Sequence, residues 1–274
     1  MPVDSIPICE RKYCEHSTKT NVLFAIKSPA FETSTSRRNI IRNTFVRQIK
    51  EYPQADYTFY LSSPDEENAP FIANELNTHR DLTILTTIPE TSPNTTRYGI
   101  TIKTFEFFKQ IQRPYNWVCH IDDDSYVQIY RLMERYLLNP QYYPFRTIVA
   151  RVRTEPSFMG ETNLPYPGGQ MYCISWDIAR TIATQFHTAI PELGTDPNSW
   201  PCDDIIMGLF IRRTLNKAQY VDLPNPISYD IGNSWDIHDY AHILNPNQGI
   251  NPHRLKENEQ FKAAALVHEQ LFAT

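Results

Sequence analysis

The sequence predicts an α/β fold in which a mostly parallel, twisted sheet is flanked by helices. Apolar runs of strand length alternate with helix-like segments through the first half of the chain. The 274 residues are 41% hydrophobic and 21% charged, which is typical of a globular protein with a substantial core. The net charge of −5 gives no reason to expect a nucleic-acid partner. No apolar run approaches the roughly 20 residues that would span a bilayer.

The first half of the chain is the more regular one. The predicted strands are the apolar runs Asn21–Lys27, Tyr57–Leu61, Leu82–Thr87 and Trp117–Ile121. A predicted helix follows each strand, over Asn39–Lys50, Phe71–Asn77, Tyr98–Gln112 and Ser125–Leu138. In the first helix the apolar residues Ile41, Phe45 and Ile49 recur every four residues and share one face. This alternation favours a largely parallel sheet with helices on both faces.

The second half of the chain is loop-rich. Its predicted strands are Phe145–Val152 and Met171–Ser175, and its predicted helices are Asp177–Phe186, Asp203–Leu215 and Phe261–Phe272. From Leu223 to Pro252 the chain is rich in Pro, Asn, Asp and aromatic residues, which predicts long loops. We expect one domain over residues 1–274, with a first half at about 20–138 and a second at about 139–260.

Three consecutive aspartates, Asp122–Asp124, follow the apolar run Trp117–Ile121. Clustered carboxylates at the end of a buried strand are costly unless something neutralises them, and Mn²⁺ or Mg²⁺ would do so. An extended backbone would direct Asp122 and Asp124 to one side and Asp123 to the other. With Ser125 as the N-cap of the next helix, the aspartates would lie at a strand-to-helix junction, where open α/β sheets bind ligands. The sequence therefore predicts a metal site here.

The number of cysteines is odd, so at least one of the five is unpaired within the monomer. Cys9 and Cys14 are close enough in sequence to bridge a small loop, which the sequence alone does not decide.

The segment CHIDDDSYV, residues 119–127, resembles the aspartate motif of the Fringe-like and β1,3-glycosyltransferases of glycosyltransferase family 31. Four further segments resemble family motifs and occur in the family's order. They are SRRNIIRNTF at residues 36–45, ITIKTFEFF at 100–108, YPGGQMYCIS at 166–175 and CDDIIMG at 202–208. The resemblance covers roughly residues 20–242 and departs from the family at Phe45, where tryptophan is usual, and at Gln170-Met171, where small residues are usual.

This resemblance implies a GT-A fold and a metal-dependent, inverting β1,3-glycosyltransferase. The donor would be a UDP-sugar that carries a hexose or an N-acetylhexosamine, and the acceptor a glycan or glycoprotein. Residues 20–138 would bind the nucleotide sugar and residues 139–260 the acceptor. The family implies the Golgi lumen or the secretory pathway, although the sequence shows no membrane anchor or signal. The alternatives are an inactive relative that binds a glycan or nucleotide, favoured by the bulky Gln170-Met171, and a metal-dependent phosphohydrolase.

The resemblance also implies roles for individual residues. Asp204 matches the family's catalytic aspartate, although an aspartate at a helix N-terminus is also a common cap, and Asp203 stays ambiguous. The expected metal ligands are Asp122, Asp124 and His238, with His242 as a rival. The expected donor-binding residues are Arg42, Lys103, Asp122, Asp123, Gly168 and Gly169. Arg38 is interpreted as an ordinary surface charge.

Overall fold

A seven-stranded sheet forms the centre of the computed structural model, which describes residues 20–90, 97–189, 202–215, 217–224, 227–230 and 249–270. Its strands are β1 (Val22–Lys27), β2 (Ala55–Ser63), β3 (Leu82–Pro89), β4 (Trp117–Asp122), β5 (Thr147–Phe158), β6 (Glu161–Ser175) and β7 (Gln219–Asp222). Two short strands, β8 (Ser228–Asp230) and β9 (Asn251–His253), pair separately.

The order of the strands is β3-β2-β1-β4-β6-β5-β7, so strands from both halves of the chain share one sheet. Strands β1 to β4 are mutually parallel, and β5 is parallel to β7. Strand β6 alone in this sheet runs antiparallel to its neighbours β4 and β5. The prediction of a mostly parallel α/β sheet is therefore confirmed.

The helices cover both faces of the sheet. They are α1 (Glu32–Asn43), α2 (Phe45–Ile49), α3 (Ala69–His79), α4 (Arg97–Gln110), α5 (Ile129–Leu132), α6 (Trp176–Ala189), α7 (Asp203–Thr214) and α8 (Asn258–Gln270). One apolar layer includes Phe24, Phe45 and Trp117, and the other includes Phe105, Ile174 and Phe210. Because both faces are buried, the central strands are near-continuous apolar runs. None of the described helices has the length and apolar character needed to cross a membrane.

Two predicted helices have different bounds from those expected. The helix predicted over Asn39–Lys50 begins already at Glu32 and is interrupted at Thr44, whose φ of −119° and ψ of −110° are not helical. The helix predicted over Ser125–Leu138 begins only at Ile129 and continues as a π-helical turn, Met133–Leu137. Tertiary hydrogen bonds explain the later start, because the N–H groups of Tyr126 and Gln128 donate to the carbonyls of Pro252 and Ile250. Ser125 is therefore not a helix cap.

A disulfide joins Cys119 of β4 to Cys173 of β6. The two cysteines face each other across the antiparallel pair, a relation that depends on the strand order. The bond links the strand that ends in the aspartate triplet to the strand that carries Gly168 and Gly169. The pair considered from the sequence, Cys9 and Cys14, lies outside the described residues.

Candidate active site

Two acidic segments, the triplet Asp122–Asp124 and the pair Asp203–Asp204, meet at the carboxyl ends of β1 and β4. Lys27, the last residue of β1, connects them, because its Nζ lies 2.9 Å from Asp122 Oδ1 and 2.9 Å from Asp203 Oδ2. Thr104 Oγ1 also donates to Asp203 Oδ2, at 3.1 Å. Although burial alone would lower the pKa of Lys27, the two carboxylates raise it well above its ordinary value. Lys27 therefore remains a cation between the two acidic segments.

Asp122 has a second basic neighbour in His120. His120 Nε2 lies 3.3 Å from Asp122 Oδ1, and His120 Nδ1 lies 2.7 Å from the hydroxyl of Tyr60. The imidazole also stacks on the ring of Tyr172, with 4.6 Å between centroids. Burial opposes ionisation of Asp122, but the charge of Lys27 and the close contact with His120 hold its pKa well below the usual range. Asp122 is thus a fixed anion.

Asp123 has different surroundings from Asp122. Its Oδ2 accepts a hydrogen bond from Ser28 Oγ at 2.8 Å. Burial, with the charges of Asp124 and Asp122, raises the pKa of Asp123 to about 6. Lys103 lies nearby, where its Nζ donates to the Ser28 carbonyl at 2.7 Å and to Glu90 Oε2 at 3.3 Å. Asp122 and Asp123 therefore have different partners, and the roles expected for them stay predictions.

Asp124 contacts a segment from the far end of the chain. His253 Nε2, on β9, lies 3.2 Å from Asp124 Oδ1, and the Lys256 ammonium pairs with Asp124 Oδ2. Burial alone would raise the pKa of Asp124, but the hydrogen bond from His253 and the charge of Lys256 lower it.

Asp122, Asp124 and His253 offer one ligand atom each, and these atoms lie within 4.8 Å of one another. Two carboxylates and one imidazole are a suitable donor set for a divalent cation that keeps positions open for substrate oxygens. The sequence analysis missed His253, because nothing in the segment Asn251-Pro252-His253 marks it locally. The histidines expected instead, His238 and His242, lie outside the described residues.

Asp204 lies at the start of α7, against Gly169 of β6. A Cβ atom added to Gly169 would lie 3.6 Å from Asp204 Cβ and 3.7 Å from Asp204 Oδ2, so the glycine leaves space beside the carboxylate. Burial and the charge of Asp203 raise the pKa of Asp204 to about 6, although Arg153 opposes the shift. A carboxylate with this pKa is ionised at neutral pH and holds a proton more strongly than an ordinary aspartate.

Gln170 and Met171 are part of strand β6 and face the protein interior. The Gln170 side-chain amide donates to Ser228 Oγ at 3.2 Å, and its backbone carbonyl accepts from Ser125 Oγ at 3.0 Å. Met171 is fully buried and pairs with Ile121 across β4 and β6. Gln170 and Met171 are therefore buried strand residues. Gln170 nevertheless lies beside Gly168, because a Cβ atom added to Gly168 would lie 2.7 Å from Gln170 Oε1, so the inactive relative stays an alternative.

The structure contradicts the expectations for Arg38 and Arg42, both on α1. Arg38 is fully buried rather than a surface charge, and its Nε and Nη2 donate to the two Glu75 oxygens at 2.8 and 2.6 Å. Arg42 Nε and Nη2 each lie 2.8 Å from an oxygen of Asp81, and Nη2 lies 2.7 Å from Glu75. Asp81 precedes β3, at the amino ends of the parallel strands, whereas the triplet lies at their carboxyl ends. Arg42 therefore belongs to a buried ion-pair network and not to the donor site.

A cavity of about 460 Å³ opens beside Asp123 and Asp124. Its volume is within the range of small-molecule binding pockets. Arg37 of α1 lines it and fixes its far wall, because Nη1 and Nη2 donate to the carbonyls of Leu255 and Lys256, each at 2.5 Å. The segment that carries His253 is therefore tied to helix α1.

Comparisons with solved structures show which fold this is. The bifunctional glycosyltransferase WbbM, without ligand, matches 93% of this chain with a TM-score of 0.52 and 12% identity. This chain spans 52% of the length of WbbM. The galactosyltransferase LgtC, solved with donor and acceptor sugar analogues, has a TM-score of 0.48 and 12% identity, with 90% of this chain and 95% of that chain covered. The fold shared with WbbM is the GT-A fold of glycosyltransferases, as predicted.

Comparisons of sequence show the family. No curated protein matches the chain. The model of the family described as Fringe-like matches residues 17–223, which is more than half of the chain and includes the triplet, Gly169 and Asp204. With the shared fold, this match supports a glycosyltransferase. The chain therefore belongs to the Fringe-like family.

Proposed function

We propose that this protein is a metal-dependent, inverting β1,3-glycosyltransferase that uses a UDP-sugar. The observation that carries the proposal is the pair of acidic segments joined by Lys27. On one side Asp122 and Asp124 are held as anions, and on the other Asp204 has a pKa of about 6. Transfer from a nucleotide sugar needs both a neutralised leaving group and a proton acceptor.

Asp122, Asp124 and His253 would hold Mn²⁺ or Mg²⁺, since their ligand atoms lie within 4.8 Å of one another. When bound, the cation supplies Lewis-acid stabilisation of the diphosphate leaving group. In this assignment His253 takes the place of His238, because His253 lies next to Asp124 in the described part of the structure. The role first expected for His238 stays a prediction.

Asp204 would act as the general base. The acceptor hydroxyl attacks the anomeric carbon, its proton passes to an Asp204 oxygen, and the bond from the anomeric carbon to the diphosphate oxygen breaks. A single displacement inverts the anomeric configuration and needs no second catalytic carboxylate, in contrast to glycoside hydrolases. Gly169 supports this role because its missing side chain leaves room for a sugar beside the Asp204 carboxylate.

The donor would occupy the cavity beside Asp123 and Asp124, with Asp123 on the ribose or sugar. Lys103 would position this region through Ser28, whose carbonyl it binds and whose hydroxyl binds Asp123. Gly168 and Gly169 would lie against the transferred hexose or N-acetylhexosamine. The β1,3 linkage and a glycan or glycoprotein acceptor rest on membership of the Fringe-like family.

We also propose that the protein works in the secretory pathway, in the Golgi lumen. The disulfide between Cys119 and Cys173 supports this location, because disulfides persist in oxidising compartments and are rare in the cytosol.

Measurement of UDP release from a panel of UDP-sugars, with Mn²⁺ and with or without simple sugar acceptors, tests the proposal. We expect one donor to be consumed faster when an acceptor is present and consumption to stop when a chelator removes Mn²⁺. Donor turnover that is unchanged in chelator would overturn the metal assignment. Absence of turnover with every donor and acceptor, together with retained UDP binding, would favour the binding-protein alternative.

A further inference from the structure

Lys256 occupies an unusual position for an exposed lysine. Its ammonium pairs with Asp124 Oδ2, an oxygen of one of the three residues that could hold a metal ion. The Lys256 side chain is 70% exposed, whereas that of Asp124 is 13% exposed. A cation from solvent therefore competes directly with Lys256 for this carboxylate.

The backbone at Lys256 is fixed although its side chain is exposed. Arg37 Nη1 and Nη2 donate to the Leu255 and Lys256 carbonyls, and the Leu255 N–H donates to the Asp124 carbonyl at 2.9 Å. The ammonium itself is carried by a flexible four-carbon chain with three rotatable donors. When it leaves Asp124, it therefore remains beside the same cavity.

A large anion in the cavity would find few cationic partners other than the displaced Lys256 ammonium. Among the residues that the structure describes, Arg37 and Lys256 are the two cationic ones that line the cavity, and Arg37 is already bound to Leu255, Lys256 and Asn258. A divalent ion at Asp124 would repel the Lys256 ammonium, because a bound metal ion is the largest local charge in its site. A diphosphate next to that ion would attract the ammonium.

We propose that Lys256 is an exchangeable counter-ion, which neutralises Asp124 in the metal-free protein and pairs with a nucleoside diphosphate once a divalent cation has taken Asp124. This inference rests on the proposed function and deepens it. Lys256 then opposes the binding of metal alone and favours the binding of the nucleotide with metal. The two ligands become coupled, and the coupling is reciprocal. Metal and donor would bind as a pair rather than in turn.

Lys256→Gln tests this exchange, since it removes the charge and keeps most of the side-chain length. Without nucleotide, we expect Mn²⁺ to bind about two- to fivefold more tightly to Lys256→Gln, as for loss of an exposed ion pair. At saturating Mn²⁺, we expect UDP to bind about tenfold more weakly, as for loss of a hydrogen bond to a charged group. Electron paramagnetic resonance of free Mn²⁺ gives the first affinity and calorimetry gives the second.

Three matched measurements sharpen this test. Lys256→Arg keeps the charge and should preserve both affinities within a few-fold. UMP lacks the β-phosphate, so the change Lys256→Gln should weaken the binding of UMP less than that of UDP. Lys50→Gln removes an equal charge outside the cavity, where the Lys50 ammonium lies 5.5 Å from the centroid of the Tyr57 ring, and should change neither affinity.

The two opposite shifts separate the exchange from a structural role. Unchanged affinities in Lys256→Gln, or Mn²⁺ and UDP affinities that weaken together, would overturn the inference while the proposed function stood. A wild-type protein that binds neither Mn²⁺ nor UDP would overturn both.

Discussion

Asp122 and Asp124 on one side of the site and Asp204 on the other are all partly buried carboxylates, yet their affinities for a proton differ. Asp122 has Lys27 and His120 as partners, and Asp124 has His253 and Lys256, so basic groups lower both pKa values. Asp204 has Asp203 beside it, and burial with this negative charge raises its pKa to about 6.

This difference shows that the pKa values of the two groups of carboxylates differ more because of their basic neighbours than because of burial. The carboxylates with basic partners are suited to bind a cation, since they stay ionised over the whole physiological range of pH. The carboxylate next to another carboxylate is suited to exchange a proton near neutrality. Mutations that act on one group should therefore have a different signature from mutations that act on the other.

The largest effect is expected from Asp204→Asn. We expect a loss of transfer of about 10² to 10⁴-fold, because an amide cannot accept the proton of the acceptor. Binding of UDP with Mn²⁺ should stay within a few-fold of the parent, as measured by calorimetry. A variant that keeps its transfer rate would mean that Asp204 is not the general base and only begins helix α7.

Thermal melting of Asp204→Asn and Asp203→Asn provides the control. The folded pKa of Asp204, about 6, lies above the ordinary value of an aspartate, 3.8, so its protonation stabilises the fold at low pH. That stability is lost as the pH rises through 6, and Asp204→Asn should melt at or above the parent temperature at pH 7.5. Asp203→Asn removes a carboxylate partner of Lys27 and should melt lower. If Asp203→Asn alone lost activity without melting lower, the base would lie one residue earlier.

His253→Ala should weaken Mn²⁺ binding by at least about 10 to 100-fold. That is the loss expected when a residue that only supports a metal ligand is removed. The reason is that His253 is one of three groups that could hold the ion. Paramagnetic resonance of free Mn²⁺ measures this loss. His238→Ala is the matched variant, since His238 was the histidine first expected from the sequence. If His238→Ala loses the metal and His253→Ala does not, the assignment to His253 is wrong.

The pH dependence of transfer should follow Asp204. Between pH 7 and pH 5 the ionised fraction of a group with a pKa of about 6 falls roughly tenfold, and kcat at saturating donor should fall with it. Asp123, whose pKa is also about 6, should affect donor affinity instead. The residual rate of Asp204→Asn should not show this fall. A kcat for the parent that is constant from pH 7 to pH 5 would contradict the assignment.

Gly169→Ala should have the smallest effect, a loss of transfer of about tenfold or less, because small displacements in a site reduce rates by up to ~10²-fold per ångström. The added methyl would make an ordinary contact with Asp204 at 3.6 Å, so the melting temperature should not change. Gly208→Ala is the contrasting variant, since its methyl would lie 2.5 Å from Tyr166 Cβ and 2.7 Å from the Pro165 carbonyl. It should lower the melting temperature. Full activity in Gly169→Ala would mean that no sugar lies against this glycine.

The sequence predicted most of the parallel half of the sheet, because apolar runs and helical periodicity are local signals. It did not predict the late start of α5, because the partners of Tyr126 and Gln128 are carbonyls from residues 250–252. The sequence did not indicate His253 for the same reason, since His253 is far from Asp124 along the chain. Arg38 was interpreted as a surface charge and Arg42 as a donor-binding residue, because their partners Glu75 and Asp81 lie on other elements and are far away in the sequence. Patterns within one element could be read from the sequence, whereas partners across elements could not.

Lys27 has a consequence for how the reacting groups come to be aligned. Its ammonium fixes β4 to the first turn of α7 through Asp122 and Asp203. The spacing between the proposed cation site and the proposed general base is thus fixed in the folded protein before any sugar binds, and it need not be assembled in each turnover. Because Lys27 contacts both elements, a displacement of β4 or of α7 would misplace both groups at once.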